Sequence, residues 1–151
     1  MTDLAQWLRT QTDDADLANA IVSMAAAGAD IANILRQAPI AGQTGLAGSD
    51  NVQGEAQKAL DVISNDIVLN HLKANAGISI LVSEELDEAV ELSSQGRLIV
   101  ATDPLDGSSN LDVNVTVGTI FSIVGSAGGP LQRGRAQLAA GYVAYGPATN
   151  L

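Results

Sequence analysis

Apolar residues recur every three to four positions through the first half of the chain and gather into short runs through the second. Leu4, Trp7 and Leu8 fall at i, i+3 and i+4, which predicts a short helix after Thr2 with Trp7 as a packing anchor. Leu17, Ile21, Met24, Gly28, Ile31 and Leu35 keep the helical period in a second segment. Asp13 and Asp14 can cap it, and Pro39 is expected to stop it. Its alanines and Gly28 suit close approach to another helix or a sheet. Gly42, Gly45, Gly48 and Gly54 then stand among polar residues, so 39–54 reads as a long loop, mobile or functional. A third helix is expected from Glu55 to about Lys73 through Leu60, Ile63, Ile67 and Leu72, ended by Asn75, Ala76 and Gly77.

Four strands follow: Ile78–Val82, Leu98–Thr102, Val113–Val124 and Gln137–Tyr145, with a tight turn at Gly125–Pro130. Helices first and strands later predict an α+β layered fold with a mostly antiparallel or mixed sheet, not a βαβ repeat. The segment Gly146–Leu151 comes directly after a strand that nothing later in the sequence covers. The chain is therefore read as the N-terminal part of a longer protein; a short form whose edge another subunit covers is the alternative.

Length and composition narrow the classes. The 151 residues suit one domain, 46 % are apolar, and only 3 % are aromatic, so the core must be aliphatic. The absence of cysteine excludes disulfides, zinc-thiolate sites and thiol catalysis. No basic n-region opens the chain, and no apolar stretch is expected to reach the ~20 residues of a membrane span, so a cytoplasmic location is the expectation. A net charge of −10 disfavours nucleic acid and anionic membrane as partners. The seven basic residues all lie outside Asp103–Asn110.

Two strand ends carry acids: Glu84-Glu85 after Ile78–Val82, and Asp103 with Asp106 after Leu98–Thr102. Paired glutamates are usually solvated, and Asp-Pro or Asp-Gly alone marks a turn. The conjunction is what carries chemistry. If the strands are neighbours, four carboxylates converge, and crowded carboxylates call for a cation. Oxygen donors without His or Cys suit Mg²⁺ or Mn²⁺ and disfavour zinc. Pro104 fixes the turn so that Asp103 and Asp106 can face one ion, with the Leu105 carbonyl between them. The backbone N–H groups of Gly107, Ser108 and Ser109 suit a phosphate oxygen.

Asp103–Asn110, continued through Leu111-Asp112 and Val117–Ile123, resembles class I fructose-1,6-bisphosphatase. Leu60–Asp66, Leu81–Glu85, Ala139–Tyr142 and Tyr145–Thr149 extend the likeness, which runs in register from about Leu17 to the end. The Asp-Pro-Leu-Asp-Gly-Ser core alone is shared with the wider lithium-sensitive phosphatases, including inositol monophosphatases. The resemblance implies a Mg²⁺-dependent hydrolase removing the 1-phosphate of fructose 1,6-bisphosphate, in gluconeogenesis or the Calvin cycle. It implies Glu84, Asp103, Asp106 and the Leu105 carbonyl as metal ligands, and Glu85 with Asp61 as the pair that orients and deprotonates water. Glu55 stands where the family usually has a metal-binding or water-activating Asp, and residues 39–54 match its mobile loop. Gly107, Ser108 and Ser109 match the turn that holds the phosphate being removed. A homotetramer is implied as well.

Two departures change what is expected. The family's AMP site uses a Gly- and Thr-containing helix start and a Lys-Tyr pair; here Gln11–Ala15 and Arg97-Leu98 stand instead. Acids at a helix N-terminus repel phosphate, so AMP inhibition of the familiar kind is not expected. The family chain is also about twice as long, and its second half carries the sugar pocket and basic groups. The 151 residues alone are thus expected to turn over little or no sugar bisphosphate. Sedoheptulose-1,7-bisphosphatase or inositol-phosphatase activity, or an inactive metal- and phosphate-binding module, are the other readings. His71, Tyr142, Tyr145, Arg133 and Arg135 read as structural, interfacial or solvated residues.

Overall fold

Helix α1 (Leu4–Gln11) buries Leu8, but Trp7 is 50 % exposed and is not the packing anchor expected of it. Helix α2 (Ala15–Ala41) begins at a cap, where the Leu17 N–H donates to Asp14 Oδ1 at 3.0 Å. That bond, and then Arg97, hold the Asp14 carboxyl below the usual carboxylate range. The helix does not stop at Pro39 but runs through it to Ala41. A proline this near a helix end removes one backbone hydrogen bond, and the remaining ladder carries the turn. Within α2, Ala15–Gln37 is long and apolar enough to span a membrane by length and composition, contrary to expectation. The structure uses it as a core helix, with Ala20, Met24, Ala27 and Ile31 fully buried.

The computed structural model describes residues 3–41, 46–50, 56–109, 116–146 and 149–151. The expected loop at 39–54 contains a strand: β1 (Leu46–Asp50) pairs antiparallel with β2 (Ala56–Lys58). Such a ribbon is held by its backbone ladder, so its polar, glycine-rich sequence carried no strand signal. Helix α3 accordingly spans Ala59–Lys73 rather than starting at Glu55, which lies outside the described residues.

Six further strands form one mixed sheet: β3 (Ile78–Ser83), β4 (Val90–Glu91), β5 (Leu98–Asp106), β6 (Val117–Gly125), β7 (Gln137–Tyr145) and β8 (Thr149–Asn150). Their order is β4-β3-β5-β6-β7-β8, with β3 and β5 parallel and every other pair antiparallel. The third expected strand starts at Val117; residues 113–115 are not described. The last long strand is partnered after all, since β8 folds back onto Ala144 and Tyr145.

Alternation along the strands makes two unlike faces. Leu98, Val100, Phe121, Ile123 and Val143 point to the core shared with Met24, Ile31, Leu60, Val68 and Leu72 of α2 and α3. Each fully buried Leu or Ile contributes about 1.5–3 kcal/mol. Gly28 lets α2 lie against β7 as its sequence suggests: a Cβ there would come within 2.9 Å of Val143 Cγ2. The other face leaves Ile120, Leu138 and Tyr142 exposed. At the end of the sheet where β5 begins, Arg97 forks onto Asp16 (Nε to Oδ2, 2.7 Å) and Asp14, tying α2 to β5. His71 and Asp30 join α3 to α2 at the surface, 2.8 Å apart.

Among the described glycines the closest approach is at Gly96, in the turn before β5, where a Cβ would lie 2.3 Å from the Ser79 amide nitrogen. Backbone cannot swing aside as a side chain does. Gly96→Ala is expected to lower unfolding free energy by about 1–3 kcal/mol, read from urea denaturation midpoints; an unchanged midpoint would show that β3 yields freely there.

Candidate metal centre

Ser83 stands opposite Thr102 in the parallel β3–β5 pair, so the acids that follow each strand position emerge side by side. The Glu84 N–H donates to the Thr102 carbonyl at 3.0 Å and locks that alignment. Beyond it, β5 does not end in the expected turn but continues to Asp106 through a bulge: Asp103 faces Ile120, while Asp106 faces Gly118. Residues three apart on a regular strand point to opposite faces. The extra residue resets the phase. Leu105 enters the core at 2 % exposed, while Asp103 and Asp106 both border one groove of about 930 Å³. Pro104, lacking an N–H, is suited to this irregular step. Gly107 then closes the strand at φ 78°, a conformation that favours glycine.

Carboxylate oxygens of Glu84, Glu85 and Asp103 all lie within 4.8 Å of one another. Burial pushes the Asp103 carboxyl up to about 6; the Leu105 N–H opposes this, and the charges of Glu84, Asp106 and Asp61 add to it. Asp61 sits in the first turn of α3 and is 4 % exposed. A half-buried carboxyl held reluctant to ionise by burial, and further by its acidic neighbours, fits a divalent cation, which relieves both desolvation and repulsion. An all-oxygen donor set fits Mg²⁺ or Mn²⁺.

The family model described as fructose-1-6-bisphosphatase, N-terminal domain, matches residues 4–151. The chain belongs to the fructose-1,6-bisphosphatase family. Class 1 fructose-1,6-bisphosphatase of Shewanella amazonensis is 46 % identical over 157 aligned positions, covering 100 % of this chain and 49 % of that protein. Its Neisseria gonorrhoeae counterpart is 50 % identical over 141, covering 89 % of this chain and 44 % of its own. The crystal structure of Leishmania major fructose-1,6-bisphosphatase in holo form superposes with TM-score 0.91 at 29 % identity, over 98 % of this chain and 50 % of that one. A Toxoplasma gondii protein assigned as a sedoheptulose-1,7 bisphosphatase gives TM-score 0.82 at 30 % identity, over 99 % and 48 %. The chain spans about half the length of the relatives it matches.

Within this fructose-1,6-bisphosphatase domain, the residues singled out from sequence fall into two sets. Glu84, Glu85, Asp103 and Asp61 come together, and Asp106 borders the same groove as an exposed residue. Gly107 lines that groove; Ser108 and Ser109 follow it in a 3₁₀ turn. Glu55 and the motif residues Asn110, Leu111 and Asp112 lie outside the described residues. Sequence reasoning passed over two supporting pairs. Buried Ser83 donates to Asn65 Oδ1 at 2.7 Å, joining α3 to β3 one residue before Glu84. Buried Thr119 bonds to both Pro104 and Tyr145. The first pair left a signal, since Asp61 and Asn65 are four apart and so share one helix face.

Asp103 should leave a pH signature. Its folded pKa of about 6 exceeds the ordinary 3.8, so its contribution to stability is present below about 3.8 and is lost as pH rises through 6. Without metal, Asp103→Asn is expected to remove that slope and raise the urea midpoint at pH 7. Saturating Mg²⁺ should raise the wild-type midpoint at pH 7 and leave the variant's nearly unchanged. A metal-free variant no more stable than wild type at pH 7 contradicts the assignment.

Proposed function

We propose that this chain is the metal-binding half of a Mg²⁺-dependent sugar bisphosphatase that hydrolyses the 1-phosphate of fructose 1,6-bisphosphate to fructose 6-phosphate and phosphate. The observation that carries the reading is the cluster of Glu84, Glu85 and Asp103 beside a groove bordered by Asp106 and Gly107. Glu84, Asp103, Asp106 and the Leu105 carbonyl would hold Mg²⁺, or Mn²⁺ in its place, with Glu55 as a further candidate. Bound there, the metal would acidify water and stabilise charge on the transferring and leaving oxygens. Asp61 and Glu85 orient the attacking water and accept its proton. Backbone N–H groups of Gly107, Ser108 and Ser109 hold the phosphate being removed.

With a net charge of −10, this half is ill suited to grip a second phosphate. The sugar pocket and its basic groups are placed in the further length that relatives possess, which makes the isolated chain nearly inactive. The Arg97 fork onto Asp14 and Asp16 supports the absence of a familiar AMP site, because the cation there is already engaged by two carboxylates. Sedoheptulose 1,7-bisphosphate is a second substrate reading, favoured by the Toxoplasma gondii likeness. A cytoplasmic homotetramer completes the proposal on family resemblance.

The test joins these 151 residues to the carboxyl-terminal half of a class 1 relative and measures phosphate release from both bisphosphates. Mg²⁺-dependent release is expected from the joined protein and none above background from the chain alone. Asp61→Asn or Glu85→Gln should lower kcat by about 10²–10⁴-fold, and millimolar AMP should leave the rate unchanged. Robust turnover by the isolated chain would sink the half-site reading, and a joined protein indifferent to Asp103→Ala would sink the enzymatic one.

A further inference from the structure

Between the two acids of β5 lies a backbone carbonyl with an unusual partner. The Thr119 hydroxyl donates to the Pro104 carbonyl at 2.7 Å, and its oxygen lies 2.6 Å from the Tyr145 hydroxyl. A threonine hydroxyl carries one proton. Since Thr119 gives it to Pro104, Tyr145 must be the donor in the second bond. The chain of bonds therefore runs from β7 through β6 into the bulge of β5.

Thr119 is the single β6 residue between Gly118 and Ile120, which face Asp106 and Asp103, so it stands opposite the two residues of the bulge. It is 0 % exposed and Tyr145 is 6 % exposed. Helix α2 closes over the pair: a Cβ on Gly28 would come 3.4 Å from the Tyr145 hydroxyl oxygen. Burial also pushes the Tyr145 phenol up to about 12, which keeps it a neutral donor at ordinary pH. In so dry a place each hydroxyl would be costly without its partner, so both orientations are set.

We propose that Thr119 and Tyr145 are positioning residues that hold the Pro104 carbonyl, and with it the phase of the bulge, so that Asp103 and Asp106 point to one divalent cation. The inference rests on the reading of those two acids as metal ligands. It goes beyond core packing because the anchored carbonyl belongs to the residue that directly follows Asp103 inside the bulge. A side chain that only packs changes how much protein is folded; a positioning one changes how tightly the folded protein holds metal.

The test is Mn²⁺ binding to the folded chain, followed by electron paramagnetic resonance at pH 7.5, with folding checked by circular dichroism. Tyr145→Phe, which deletes one oxygen, is expected to weaken Mn²⁺ binding several-fold. Thr119→Val should weaken it by about 10-fold or more, within the usual range for outer-shell partners, and Thr119→Ser should restore it. Asp103→Asn is the control for the underlying reading and should abolish binding. Wild-type affinity in both Tyr145→Phe and Thr119→Val, with Asp103→Asn silent, overturns the positioning role alone. Full affinity in Asp103→Asn, or no binding by the parent chain, overturns the ligand reading and the inference with it. Should Thr119→Val fail to fold, Tyr145→Phe decides.

Discussion

Repulsion among carboxylates is the force this fold has to resist. Glu84, Glu85 and Asp103 are gathered within 4.8 Å, with Asp61 and Asp106 close enough for Asp103 to feel their charge. Mutual charge opposes that gathering. What imposes it is the parallel pairing of β3 with β5, made costly to undo by the burial of Ile78, Leu81, Leu98 and Val100. Aliphatic burial in the core thus underwrites an arrangement that the charges oppose.

The two ends of the β3–β5 pair are electrically unlike. At one end Arg97 bridges Asp14 and Asp16, so negative charge is partly offset where the strand meets the α2 cap. At the other end the acids face one another with no lysine or arginine among the described residues that line the groove. Among the described residues, the carboxylate cluster that could hold a cation lies at this edge, where α3 presents Asp61.

Much of this was legible in the sequence, and the failures are physical. Helical periodicity located α1, α2 and α3, because one buried stripe suffices to specify an amphipathic helix. Apolar runs located β3, β5 and β7, and acids ending two such runs marked the site. Pairing partners are set by packing across the chain, so the adjacency of β3 and β5 could only be supposed. Pro39 and the glycines of 39–54 misled because punctuation residues report local preference, which a neighbouring ladder can override. The bulge was hidden for a related reason. Asp103 and Asp106 read naturally as a turn around Pro104, whereas the backbone keeps them in a strand opposite Thr119.

That bulge has a consequence for how the site is encoded. The two aspartates share a face only because β5 uses one residue more than β6 along the same stretch. A strand shortened by that residue would keep every acid and still send one of them toward the Leu105 side, among aliphatic side chains. Residue count, as much as residue identity, is the inherited information here. A length change of one in β5 is therefore a more radical event than most substitutions, turning a cation-ready edge into a buried charge without altering a single ligand.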